Sequence, residues 1–157
     1  MYSKIIKFTV LILSIVGILS CGGKVIYQET KAITEPWNAQ DSISFMYEIT
    51  DTIVPYDLML EIVHTPTYSY ENLYVMVNTL FPDGTIKRGP LTLQLSNNNG
   101  SWIGKCNDEQ CDTKLYLSSK AYYKTPGKYT LSFAQFSRNE QLPGVKSLTL
   151  SVLQSSK

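Results

Sequence analysis

Tyr56-Asp57-Leu58-Met59-Leu60-Glu61-Ile62-Val63-His64 decides how this chain folds. Leu58, Leu60 and Ile62 fall on one parity, and His64 shares it. Successive side chains on an extended backbone point to opposite sides, so this spacing describes a strand with one buried face. The same period recurs along the chain. Ile43, Phe45 and Tyr47 alternate with less apolar neighbours. Leu73, Val75 and Val77 share one face, and Tyr74, Met76 and Asn78 the other. Leu91, Leu93 and Leu95 follow, then Tyr129, Leu131 and Phe133, then Leu148, Leu150 and Val152. Turn chemistry separates these runs at Pro82-Asp83-Gly84, Asn97-Asn98-Asn99-Gly100, Thr125-Pro126-Gly127 and Leu142-Pro143-Gly144. Asn99-Gly100 suits a tight hairpin into Ser101-Trp102-Ile103. Beyond the N-terminus no apolar run keeps helical spacing. The expectation is an all-β sandwich, Ig-like or jelly-roll-like, of about seven or eight antiparallel strands. A barrel would show the same local signals.

The N-terminus obeys different rules. Lys4 and Lys7 precede an apolar stretch from Phe8 to Leu19. A stretch of this length fits a secretory signal, whereas a bilayer span takes about 20 residues. Ile18-Leu19-Ser20-Cys21 follows in the arrangement of a lipobox. Cleavage would fall before Cys21, whose thiol would carry lipid. Residues 1–20 are therefore set apart as a lipoprotein signal peptide, 21–40 as a lipidated tether and lead-in segment, and 41–157 as the sandwich domain.

Removal of residues 1–20 leaves 137 of the 157, enough for one domain with a proper core. The mature chain then carries 12 basic and 13 acidic residues. A balance so near neutrality offers no basic face, which argues against nucleic acid as a partner. Export allows Cys106 and Cys111 to oxidise. A local disulfide is the favoured reading of this C-x4-C pair; two free thiols or half of a metal site are the alternatives. Zinc takes about four ligands, and the sole histidine, His64, is distant in sequence.

Groups for catalysis are thinly supplied. His64 sits on the apolar parity of its strand, which suits a packed histidine better than a general base. Gly-x-Ser-x-Gly, P-loop and dinucleotide motifs are absent from the sequence. Asp108, Glu109 and Asp112 lack the alternation of an EF-hand loop and read as a solvated turn. No enzymatic activity, cofactor or metal is expected. Trp37 reads as a pin for the lead-in segment, and Trp102 as an edge residue of the sandwich. Trp37, Tyr68, Tyr70 and Trp102 are also the candidates for a binding surface, including one that stacks on glycans.

Several motifs in order resemble the gliding-motility lipoprotein GldH family of the Bacteroidota. They are the lipobox at Cys21, Pro36-Trp37-Asn38 with Asp41, Ile49-Thr50-Asp51, and Tyr56 through His64. Tyr68-Ser69-Tyr70-Glu71-Asn72-Leu73-Tyr74, Phe81-Pro82-Asp83-Gly84 and Gly100-Ser101-Trp102-Ile103-Gly104-Lys105 continue the pattern. Pro126-Gly127-Lys128-Tyr129 and Leu142-Pro143-Gly144-Val145 complete it. Val63 stands where the pattern has arginine, Ser137-Arg138 replaces a Met-Arg pair, and the two cysteines replace a glycine-rich stretch. The resemblance implies a non-enzymatic envelope lipoprotein working beside the gliding-motility and type IX secretion machinery, with other envelope proteins as partners. Gly22-Gly23-Lys24 lacks the acidic run that resembles a surface-export signal. The expected location is the outer membrane, with the domain facing the periplasm.

Overall fold

The computed structural model describes residues 23–155. The signal peptide and Cys21 lie outside the described residues. Eleven strands follow one another: β1 (Lys24–Ala32), β2 (Trp37–Asn38), β3 (Ser42–Ile49), β4 (Tyr56–His64), β5 (Asn72–Leu80), β6 (Ile86–Gln94), β7 (Lys105–Cys106), β8 (Cys111–Ala121), β9 (Gly127–Gln135), β10 (Gln141–Leu142) and β11 (Val145–Gln154). Three of them have only two residues, which leaves eight of full length.

These eight form two sheets, β1-β11-β4-β8 with β7 at its margin, and β3-β9-β5-β6. Neighbours run antiparallel throughout. Among the described residues no ladder joins the two sheets, so the sandwich reading stands and the barrel does not. The pairings β1·β11, β3·β9, β4·β8 and β5·β6 are nested. That nesting is a long two-stranded ribbon rolled on itself, the jelly-roll alternative. The short β2–β10 ribbon stands apart and pairs Trp37 with Leu142.

The core lies between the sheets. Leu60 and Ile62 of β4, Leu148 and Leu150 of β11, Phe45 of β3, Leu73 and Val75 of β5 and Phe133 of β9 are all fully buried. Phe45 and Phe133 meet edge-on at 6.1 Å. Burying an aliphatic or aromatic side chain of this size contributes roughly 1.5–3 kcal/mol. The turns that separate the strands use glycines in the left-handed region, among them Gly84 at φ 82° and Gly144 at φ 91°.

Two features depart from the sequence reading. First, residues 24–32 are no tether. They form β1, which pairs along its length with β11, so the domain begins about 17 residues earlier than residue 41. The strand was hidden because its inward positions are Tyr27, Glu29 and Lys31, two of them charged. Lys31 bonds Glu29 at 3.5 Å and lies over the Phe45 ring at 5.5 Å, so the charges are accommodated at the sandwich margin. Inward-facing charge on an edge strand also discourages pairing with other chains. Second, the hairpin into Ser101-Trp102-Ile103 forms but is short: the Asn97 amide donates to the Ser101 carbonyl at 2.7 Å and the Ile103 amide to the Leu95 carbonyl at 3.0 Å. Its ladder shrinks to a single bridge, Ser96 with Trp102. Asn99 Oδ1 accepts bonds from the Ser101 amide and hydroxyl, which ties the turn to itself.

Because β1 covers one whole edge of β11, a mature chain starting at residue 33 should show a clearly lower urea midpoint than one starting at residue 21. A true tether would leave the midpoint unchanged.

Candidate functional site

The register sorts the loops to two ends of the sandwich. Lys24, Gln154, Tyr56 and Ala121 align at one end of the first sheet. His64 and Cys111 align at the opposite end. The latter end, distal to Gly23, carries a groove of about 550 Å³. Tyr68, Tyr70, Asn72, Tyr74, Phe136, Ser137, Arg138, Asn139 and Leu142 line it.

Its shape is set by a buried amide. Gln135 ends β9 with its side chain withdrawn from solvent. Its Nε2 donates to the carbonyls of Asn139 and Glu140, at 2.9 and 3.2 Å. Its Oε1 accepts from the Ser137 amide and hydroxyl, at 2.8 and 2.7 Å. All the bonding capacity of one amide group is thus spent on the loop 136–140. The Phe136 amide then donates to the Tyr74 carbonyl at 2.8 Å, which sets Phe136 beside Tyr74. Asn139 Nδ2 donates to the Tyr70 hydroxyl at 3.0 Å and closes the groove's other lip. Tyr70, Tyr74 and Phe136 are exposed on this frame. Among the described residues no carboxylate pairs with Arg138.

Behind the groove lies an aromatic wall. Tyr68 is buried and meets Tyr70 edge-on at 5.6 Å. His64 packs against Trp102 at 4.6 Å and Tyr68 at 5.6 Å. Trp102 Nε1 donates to the Pro66 carbonyl at 3.2 Å. His64 Nδ1 bonds the Thr65 carbonyl at 2.9 Å, which requires the proton on Nδ1. Nε2 is buried without a partner among the described residues. Burial pushes the imidazole below its ordinary range, against the opposing pull of the Thr65 carbonyl and Asp112. A neutral, enclosed ring of this kind is a packing element.

The four aromatic residues singled out in the sequence therefore divide. Trp37 is 1% exposed, with Nε1 donating to the Asp41 carbonyl at 3.1 Å, and offers no surface. Tyr68 is buried and Trp102 half-buried. Tyr70 alone is exposed on the groove. Tyr74 and Phe136, which sequence reasoning passed over, complete the accessible aromatic set. Tyr74 had a usable signal, its outward parity on β5. Phe136 had none, since it lies just beyond the alternating run of β9. Cys106 and Cys111 face each other across β7 and β8 and are joined as a disulfide.

Comparison with known proteins follows this geometry. The profile of the GldH lipoprotein family matches residues 25–152. The chain belongs to the GldH lipoprotein family. It is 28% identical over 140 residues to the gliding motility lipoprotein GldH homolog of Christiangramia forsetii, covering 88% of this chain and 86% of that one. It is 26% identical over 140 residues to the gliding motility lipoprotein GldH of Flavobacterium johnsoniae, covering 88% and 87%. Both relatives are thus matched over nearly their full length. A family GH115 4-O-methyl-alpha-glucuronidase, BtGH115A, has a TM-score of 0.47 at 13% identity, with 85% of this chain on 18% of that one. That likeness is too slight to bear on activity. The family makes this chain a membrane-anchored gliding-motility lipoprotein.

Two outcomes test the site. Gln135→Leu keeps the volume but orphans two carbonyls and an amide; it should cost about 1–3 kcal/mol in urea unfolding, with larger amide-exchange rates in 136–140. The second concerns pH. Because the folded imidazole binds its proton less readily than the unfolded one, the unfolded state takes up a proton first as pH falls. Stability supplied by neutral His64 is complete above about pH 6.5 and declines below it, towards the depressed folded value. The urea midpoint of the parent should fall between pH 7 and pH 5, and His64→Phe should flatten that slope.

Proposed function

We propose that this GldH lipoprotein is a non-enzymatic structural component of a gliding-motility and type IX secretion-associated assembly. It would hold partner proteins in the distal groove while lipid on Cys21 confines it to the outer membrane, facing the periplasm. The observation that carries this reading is the groove itself. Three exposed aromatics, a guanidinium without a carboxylate partner among the described residues, and a row of amides and hydroxyls line it, with Phe136, Ser137, Arg138 and Asn139 on a loop fixed by Gln135. Rigid aromatic and arginine anchors in a concave site are what protein interfaces use for most of their binding energy. The enclosure of His64 supports the non-enzymatic part, since the one imidazole in the chain is sealed from any substrate.

The glycan-binding alternative was built on Trp37, Tyr68, Tyr70 and Trp102; of these Tyr70 is exposed on the groove, Trp102 is half-buried, and Trp37 and Tyr68 are buried.

Crosslinking in cells tests the proposal. A membrane-permeant reagent should couple the protein to envelope partners, and an impermeant one should not. The triple variant Tyr74→Ala, Phe136→Ala and Arg138→Glu should lose most of that product while keeping the parent's melting temperature. Full crosslinking of the variant, or equal capture by the impermeant reagent, would contradict the groove or the orientation respectively.

A further inference from the structure

The end of the sandwich opposite the groove has its own exposed apolar set. Ile53 is 82% exposed on the loop between β3 and β4, and Tyr122 is 65% exposed just after β8. Ile86, at the start of β6, is 67% exposed and paired with Leu80 at the same end of its sheet. The loops that carry these residues are stiffened from beneath. The Tyr56 hydroxyl donates to the Asp51 carbonyl at 2.8 Å, and the Tyr56 ring meets Tyr123 at 5.5 Å. Tyr123 packs on Tyr129 at 4.8 Å, and the Tyr129 hydroxyl donates to the Thr125 carbonyl at 2.6 Å. Asp57 Oδ1 accepts the Lys120 amide at 2.7 Å and fixes the backbone leading to Tyr122. Ile53 and Tyr122 are thus held outward on an ordered base.

What covers them follows from where the chain enters. Gly23 lies beside the end of β11, so close to the Gln154 carbonyl that a Cβ could not be placed there. Cys21 is two residues earlier. Two residues span at most about 7 Å. Resting on the reading that Cys21 carries the lipid, we propose that this end of the sandwich seats directly on the anchoring bilayer, with Ile53 and Tyr122 in the headgroup–acyl boundary. An apolar residue and a tyrosine at one end suit that boundary, where the tyrosine's ring is dry and its hydroxyl wet. Lys24, Lys120, Lys124 and Lys128 can extend to the headgroups. Lys87 lies at the same end, and Glu48, Asp51, Asp57 and Asp83 offset all but one of these five charges, so the contact is mainly apolar and should resist salt. Seated this way, strands of nine residues hold the groove roughly 25–30 Å above the membrane.

The test uses the full lipidated chain in vesicles of phosphatidylethanolamine and phosphatidylglycerol with brominated acyl chains. An environment-sensitive fluorophore is placed, without reductant, at Ile53→Cys, at Tyr122→Cys or at Asn98→Cys near the far end. These are exposed loop positions, and each variant's melting temperature is matched to the parent first. The expected result is blue-shifted, quenched emission at 53 and 122, unaltered in high salt, and water-like, unquenched emission at 98. Chains that float with the vesicles but show the same water-like emission at all three positions would overturn the seating while leaving the anchor intact. Chains that do not float would overturn the anchor and the seating with it.

Discussion

β11 is the strand on which the rest of the molecule depends. It is hydrogen-bonded on one side to β1 and on the other to β4 along almost its whole length. Leu148, Leu150 and Val152 turn into the core. Thr149 and Ser151 are buried on the opposite face, where Thr30 and Gln28 of β1 bond them at 2.8 and 3.1 Å. A strand dry on both faces must satisfy its polar groups within the sheet, because an unpaired buried group costs about 1–3 kcal/mol. The last full strand in the sequence therefore needs the first one in place.

That dependence follows the nested topology. β5 and β6 close a local hairpin, and each further pairing joins segments farther apart, ending with β1 on β11. Folding of such a chain is dominated by contacts distant in sequence, which is the slow regime for small domains. The same nesting sends alternate loops to opposite ends. One end receives the N-terminal approach and the tyrosine base of Tyr56, Tyr123 and Tyr129. The other receives His64, Trp102 and the groove. Separation of the N-terminal approach from the groove thus comes from the roll itself.

Interior packing and surface presentation are linked at the distal end through Gln135. Its backbone finishes β9, and its side chain organises the loop that carries Phe136, Arg138 and Asn139. Ser137-Arg138 lies within this loop. The Ser137 hydroxyl bonds both Gln135 Oε1 and the Asn139 carbonyl, so a serine there is built into the frame of the groove.

The sequence by itself determined that the chain is all-β, which residues form most of its core, and where its turns lie; two separate sheets, and so a sandwich instead of a barrel, were decided by the tertiary pairing. Period-two alternation and Gly-, Asn- and Pro-bearing turns are local properties, and Leu58 to Ile62 or Leu148 to Val152 display them without reference to anything else. The family was legible because its resemblance rests on short motifs in order along the chain, which are also local. Only the tertiary structure decided that Lys24–Ala32 is a strand, because its inward charges become tolerable only beside Phe45 at an edge. It also decided which aromatics meet solvent. Tyr68 and Tyr70 have the same residue type and the same parity, yet one is buried under Trp102 and the other opens onto the groove. Burial is a property of what arrives from the rest of the chain, and no local pattern encodes it.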